Sequence, residues 1–274
     1  MADDVLHHLQ SVVQKKIISS MKPPTKLLIN KLNKYLLASL KVDLLVEIQL
    51  LLLSFCIGIQ DAISLPDFLC FASNQTGNSV VFAIGLARIG GALVDIPNVA
   101  ISLASFIGGA ILTGQLAHFA GTKRRSWLIL SHVIQTLMTF AAAALQGAYI
   151  YQGPTSVQSR ISIFLLAFAS GAQVASMRPM QISEITTAMA TAAWIDLVID
   201  PNLLAKQNRP RNRRAGFLAA LIAGSFAGAF MHSSIGASNA LVVSGIGKAI
   251  VTVSLLFNKE QEEVVVGCEM EEVA

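Results

Sequence analysis

The chain is 274 residues long, 54% hydrophobic and 13% charged, with a formal net charge of +4. Soluble domains carry about 25% charged residues, so roughly half the charge needed to cover a soluble surface is present, and a soluble globular protein is all but excluded. Disorder is excluded because it needs low hydrophobicity with high charge, and three cysteines, Cys56, Cys70 and Cys268, cannot make a disulfide framework or a paired zinc or redox motif.

The charges cluster at the ends. Residues 1–43 carry seven lysines, and residues 259–274 carry six glutamates and one lysine. A signal peptide has its apolar core within the first 15–30 residues or so; here the first strong apolar run begins at Leu44, so none is expected. Residues 3–20 show helical spacing instead, through Val5, Leu6, Leu9, Val12, Val13 and Ile17. After Pro23-Pro24 a second amphipathic stretch sets Leu27, Leu28, Leu32, Tyr35, Leu36 and Leu40 against Lys26, Lys31, Lys34 and Lys41. Such a basic helix either lies on an anionic membrane face or packs on the protein itself; the sequence leaves both open.

Charge-free runs at 96–122, 126–159, 161–176 and 215–247 follow. A bilayer core needs about 20 mostly apolar residues per helix. Six segments meet or approach that requirement, at about 44–65, 97–119, 126–150, 161–177, 215–233 and 239–257, and two shorter ones lie near 76–88 and 185–199. Each short segment has about a dozen uncharged residues, or roughly 18 Å of helix, against a hydrocarbon core of about 30 Å.

The first span carries Glu47, Ser54, Gly58 and Asp61 on one helical face. Asp61 reads either as a cation or proton site or as a boundary aspartate paired with a nearby polar group. Ser73-Asn74-Gln75-Thr76-Gly77-Asn78 is the most distinctive string: its amides and hydroxyl can hold an ion or polar solute, or cap the next helix. A second polar stripe runs through His132, Gln135, Thr136, Thr139 and Gln146; the histidine can relay protons or bridge helices.

An internal repeat is expected. Gly58-Ile59-Gln60-Asp61 recurs as Gly171-Ala172-Gln173-Val174, each followed by a Thr-bearing polar stretch (Thr76-Gly77-Asn78; Thr186-Thr187 through Thr191) and then a small-residue helix (Ser105-Phe106-Ile107-Gly108-Gly109; Gly224-Ser225-Phe226-Ala227-Gly228). If only the six longer segments cross, Lys123, Arg124, Arg125, Arg178, Lys206, Arg209, Arg211, Arg213 and Arg214 join the lysine-rich N-terminus on the cytoplasmic side, leaving Arg88 and Arg160 outside. Three crossings per half make the repeats inverted, and matching interrupted segments are then a pointer to a transport site. With eight crossings the repeats run parallel and the arginine bias weakens. The basic run 206–214 is read as a cytoplasmic loop rather than a nucleic-acid patch.

The string Gly58-Ile59-Gln60-Asp61-Ala62, then Phe68, Phe71 and Ser73 to Val80, resembles the signature of the YoaK-like family, multi-pass membrane proteins of unknown function in bacteria and fungi. Gly171-Ala172-Gln173, Ser176-Met177-Arg178, Asp196, Asp200-Pro201 and Arg211-Asn212-Arg213-Arg214 agree, the last being similar to the fungal branch. The resemblance covers about residues 43–257. It implies a membrane location and no substrate.

The expected protein is therefore an all-α integral membrane bundle with six full spans and two short or broken membrane segments, built from an internal repeat. It comprises an amphipathic basic cytoplasmic region (1–42), a transmembrane domain (43–257; halves about 43–150 and 160–257) and an acidic cytoplasmic tail (258–274). No enzyme motif occurs, and no cofactor or metal is expected. The expected function is transport of a small polar solute or ion, with Asp61, Gln60, Asn74, Gln75, Thr76, Gly77 and Asn78 answered by Gln173, Thr187 and Thr191 in the second half. The alternative is a structural or regulatory membrane protein. Its partners are the lipid bilayer and the solute, with no nucleic acid; a homo-oligomer is compatible.

Overall fold

The computed structural model describes residues 23–89, 91–148 and 153–261. The amphipathic stretch at 3–20 and most of the acidic tail lie outside the described residues. Among the described residues six helices are long and apolar enough to cross a membrane. They are α2 (Leu44–Phe68), α4 (Ile96–Ala120), α5 (Arg125–Ala148), α6 (Val157–Met177), α8 (Arg209–Ile235) and α9 (Ala237–Ser254), and 3₁₀ turns at Arg178–Met180 and Leu255–Phe257 extend α6 and α9. Among the described residues three shorter helices accompany them: α1 (Pro23–Leu37), α3 (Gln75–Leu86) and α7 (Thr191–Val198).

Local chemistry fixes the boundaries. Asp43 caps α2 by accepting from the amides of Leu45 (3.0 Å) and Val46 (3.3 Å). Asp95, Ser156 and Asn208 cap α4, α6 and α8 in the same way, and Pro97 and Pro210 sit where a helix tolerates proline. Gly236, at φ 87°, separates α8 from α9. The expected helix near 185–199 is confined to α7: Gln181 and Thr187 have positive φ, and residues 181–190 form turns instead.

The long helices alternate between two ends of the bundle. At one end Leu40 N donates to Lys123 O (3.0 Å), Lys41 N to Lys259 O (2.9 Å) and Arg125 N to Ala38 O (3.0 Å). At the other end Asn98 Nδ2 donates to Phe68 O (3.0 Å) and Pro154 O (2.8 Å). The segment between α2 and α4 begins and finishes at this second end. Gln75, at the start of α3, reaches Ser102 (3.3 Å), while Gly85, near its finish, meets Val94 and Ile96 at the start of α4. Ser102 is six residues past Ile96, about 9 Å into the bundle. The α3 hairpin dips in and returns without crossing. Residues 178–208 likewise stay at the first end, where Asp196 and Asp200 meet Arg214.

The interior has three levels. Leu50, Leu53, Leu128, Ile182, Ile185 and Val251 belong to one apolar cluster, and Ile59, Ile63, Val99, Ala142, Ile163 and Leu241 to another. Between them every central helix turns polar, at Ser54 on α2, residues 131–139 on α5, 170–176 on α6 and 244–248 on α9. Apolar side chains also face outward along whole helices: Ile107, Ile111, Phe226, Phe230, Ile250 and Val253 are all more than half exposed. Soluble monomers rarely expose contiguous apolar patches beyond a few hundred Å², so these belts suit lipid.

Two helix pairs make the closest contacts, α2 with α8 and α4 with α6. A Cβ on Gly58 would overlap Leu221 O, and one on Gly224 would overlap Phe55 O. In the other pair a Cβ on Gly171 would overlap Phe106 O, and one on Gly109 would overlap Phe168 O. Gly108, next in sequence, has nothing within 4 Å of such an atom. Gly109→Ala is therefore expected to destabilise the protein by on the order of 3 kcal/mol. Gly108→Ala is expected to be neutral or to stabilise it by up to about 1 kcal/mol through helix propensity. Thermal unfolding in detergent distinguishes the two; equal effects would contradict the packing.

Candidate functional site

The polar string after α2 is held by its own side chains. Asp61, two turns before the end of α2, accepts from Ser73 N at 2.8 Å and from Ser73 Oγ at 2.5 Å, so each carboxylate oxygen has a partner. Ser64 Oγ accepts from Ala72 N (3.0 Å). Asn78 is fully buried; its Oδ1 accepts from Phe71 N (2.8 Å), and its Nδ2 donates to Phe71 O (2.8 Å), Gln75 Oε1 (2.9 Å) and Ser102 Oγ (3.0 Å). Asn74 Oδ1 caps α3 by accepting from Gly77 N (3.1 Å). Gly77 lies under the Phe71 ring, where a Cβ would sit 3.1 Å from it, and Thr76 is exposed.

The second-half residues differ. Gln173 is fully buried, and neither its Oε1 nor its Nε2 has a hydrogen-bond partner among the described residues. Thr187 is buried at positive φ with Oγ1 unpartnered, whereas Thr191 is exposed at the start of α7. Gln60 lies in the polar layer: its Nε2 donates to Ser244 Oγ (2.9 Å), and Ser170 Oγ approaches its Oε1 (3.5 Å). Gln60 thereby joins α2, α9 and α6. Asp61 and the 74–78 string gather at the α3 hairpin, Gln60 and Gln173 at mid-height, and Thr187 and Thr191 toward the first end.

The layer contains a residue the sequence reading passed over. Lys248, on α9, is 1% exposed, and its ammonium has no hydrogen-bond partner among the described residues. His132 on α5 and Cys56 on α2 lie near it. His132 Nδ1 meets Leu128 O at 2.9 Å, and its Nε2 is unpartnered. Gln135 Nε2 donates to Ser131 Oγ (2.8 Å) and lies 3.5 Å from Ser176 Oγ, while its Oε1 is unpartnered. Thr136 and Thr252 close the layer between α5 and α9 at 3.2 Å. The available sequence signal was a single lysine interrupting an otherwise apolar run.

Charges at the first end of the bundle are paired with one another. Glu47 binds both Arg209 and Arg213, the second at 2.7 Å, and Arg213 also faces Glu184 at 3.6 Å. Hydrogen bonds from Asn202 N and then Asn208 Nδ2 hold the half-buried Asp200 carboxyl below its ordinary pKa. Arg125, fully buried, donates to Tyr35 O (2.8 Å) and Asn258 O (2.5 Å) and stacks on the Tyr35 ring at 3.7 Å. This docks the end of α1 on the protein, while Leu27, Leu28, Leu32 and Leu37 stay exposed. Among the described residues no three His, Cys, Asp or Glu side chains come together as a metal site.

A bundle of apolar helices around this polar layer agrees with the one comparison that matches. The family described as Protein of unknown function (DUF1275) matches residues 49–254. The chain belongs to that DUF1275 family. The match begins within α2 and finishes at the end of α9, so it takes in all six long helices and both short segments between them. No curated protein matches the chain, and no solved structure matches it. In this DUF1275 member, removing the Asp61 acceptor is expected to free the α3 hairpin. Asp61→Ala leaves two Ser73 donors without partners and is expected to cost about 1–3 kcal/mol. Asp61→Asn keeps an acceptor for the Ser73 amide and is expected to cost less. Thermal unfolding compares them; equal losses would show that the hydrogen bonds do not hold the hairpin.

Proposed function

We propose that this chain is a multi-pass membrane permease that carries a small polar solute through the layer formed by α2, α5, α6 and α9. The observation that carries this reading is the set of buried polar atoms without partners at mid-height, on Gln173, Gln135, His132 and Lys248. Buried polar groups are ordinarily satisfied, and an exception calls for a reason. Groups that meet a solute in turn, rather than each other, supply one. Solute sites at mid-membrane, beside interrupted segments, are the general pattern of secondary transporters.

We further infer that the two halves form an inverted repeat. Gly58 and Gly171 make the same backbone contacts with helices of the opposite half, α8 and α4 respectively. In this pairing Gly109 corresponds to Gly224, five residues from the Ser105/Ser225 register suggested by sequence. Gln60 and Gln173 become equivalent, as do Asp61 and Val174. The α3 hairpin with Asp61 and Asn74 to Asn78 forms one wall, and residues 181–191 with Thr187 and Thr191 form the other. The bundle end near Lys41, Lys123, Arg124, Arg178, Lys206 and the arginines of α8 is the cytoplasmic one by the positive-inside rule, which puts both chain termini inside. The YoaK-like, fungal-type resemblance adds no substrate.

One observation favours the structural alternative: Asp61 and Asn78 are saturated by bonds to the hairpin and to Ser102 on α4, as helix-locking groups would be. Gln173→Leu separates the readings, since it removes an unpartnered amide at similar volume. The expected outcome is unchanged or higher thermal stability with uptake by proteoliposomes, measured over sugars, amino acids and carboxylates, reduced tenfold or more. Unchanged uptake, or none by the unmodified protein, would favour the structural reading.

A further inference from the structure

The chemistry of the unpartnered atoms narrows the solute. The layer contains Lys248, and among the described residues no carboxylate faces it. Glu47 is held by Arg209 and Arg213 at the bundle end, and both oxygens of Asp61 are taken by Ser73. A cation would meet an unneutralised ammonium here, and a neutral solute would leave that ammonium without a counter-charge in an environment where charge is costly. The other groups refine this. His132 Nδ1 points at a carbonyl oxygen and so carries the ring hydrogen, which leaves Nε2 of the neutral ring as an acceptor. Gln135 has spent its amide hydrogens on serine hydroxyls and offers only Oε1. Gln173 offers one donor group and one acceptor. The layer thus presents one cationic donor and several unpartnered acceptors. A halide or nitrate would satisfy Lys248 and leave His132 Nε2 and Gln135 Oε1 unpaired.

We infer that the solute is a small monovalent oxyanion that carries its own O–H or N–H group, its oxyanion held by Lys248 and its donor by His132 and Gln135. Hydroxycarboxylates and bicarbonate belong to this class. The inference rests on the transport reading above and gives it a substrate class. Gln60 and Ser244 act as positioning residues: Ser244 lies one turn before Lys248 on α9 and is bonded to Gln60 and to Cys56 O (3.1 Å).

The full chain, purified and reconstituted, tests this with sodium lactate, sodium chloride, glycerol and ammonium as probes. Lactate is expected to raise the thermal midpoint, because a solute that binds only the folded state stabilises it, and to enter proteoliposomes. Lys248→Gln is expected to keep the fold while abolishing the lactate-dependent shift and lowering lactate uptake tenfold or more. Gln135→Leu, which leaves Lys248 in place, is expected to fold and to weaken lactate binding several-fold, and it serves if the lysine variant does not fold. Uptake of glycerol or ammonium with lactate excluded would overturn the anion assignment and leave transport standing. Chloride uptake matching lactate would overturn the donor requirement. Lactate uptake unaffected by both substitutions would move the site away from this layer. No binding or uptake of any probe would overturn the anion inference and the transport reading together.

Discussion

Backbone-to-backbone approach at Gly58, Gly224, Gly171 and Gly109 is the constraint on which the rest of the bundle depends. In lipid there is little hydrophobic drive between helices, so association rests on close packing and interhelical hydrogen bonds. These glycines remove the side chain where α2 crosses α8 and where α4 crosses α6. Each pairs an early helix with a late one, so the chain cannot close locally, and the remaining helices α5 and α9 are drawn against each other, α6 and α2. The polar layer is a consequence: it occupies the height at which α2, α5, α6 and α9 all turn polar, bounded by apolar clusters toward both ends.

The charges are distributed around that frame. At the basic end, Glu47, Glu184, Asp196 and Asp200 neutralise Arg209, Arg213 and Arg214, and Arg125 binds the backbone oxygens of Tyr35 and Asn258. Ion pairs near a membrane boundary are cheaper than single charges at mid-depth. Among the described residues Lys248 has no such compensation, and the other unpartnered atoms of the layer include lone pairs on His132 and Gln135. This contrast between paired charges at the end and an unpaired one at the middle underlies the functional proposal.

Much of the architecture was legible in the sequence because the spans are long and carry few charges. The segment at 185–199 was harder to read. Hydropathy registers that Ile182 and Ile185 are apolar, but their burial is as turn residues against Leu50 and Leu53, which depends on tertiary contact. Asp61 could be assigned to a helical face, whereas its partner Ser73 arrives only when the chain folds back. The small-residue motifs were visible, yet their pairing register follows from interhelical geometry. Lys248 was overlooked because a single charge in an apolar run has no local partner to mark it; Gln173 and His132, in contrast, were visible as polar groups inside spans.

The central claim is that six helices cross and the two intervening segments return to the side they came from. Single cysteines at Ser39, Lys123, Asn202, Ile89 and Ser156, labelled with a membrane-impermeant thiol reagent in intact and inverted vesicles, test it most directly. The account expects Ser39, Lys123 and Asn202 to label from one side and Ile89 and Ser156 from the other. Labelling of Lys123 from the side opposite Ser39 would contradict it.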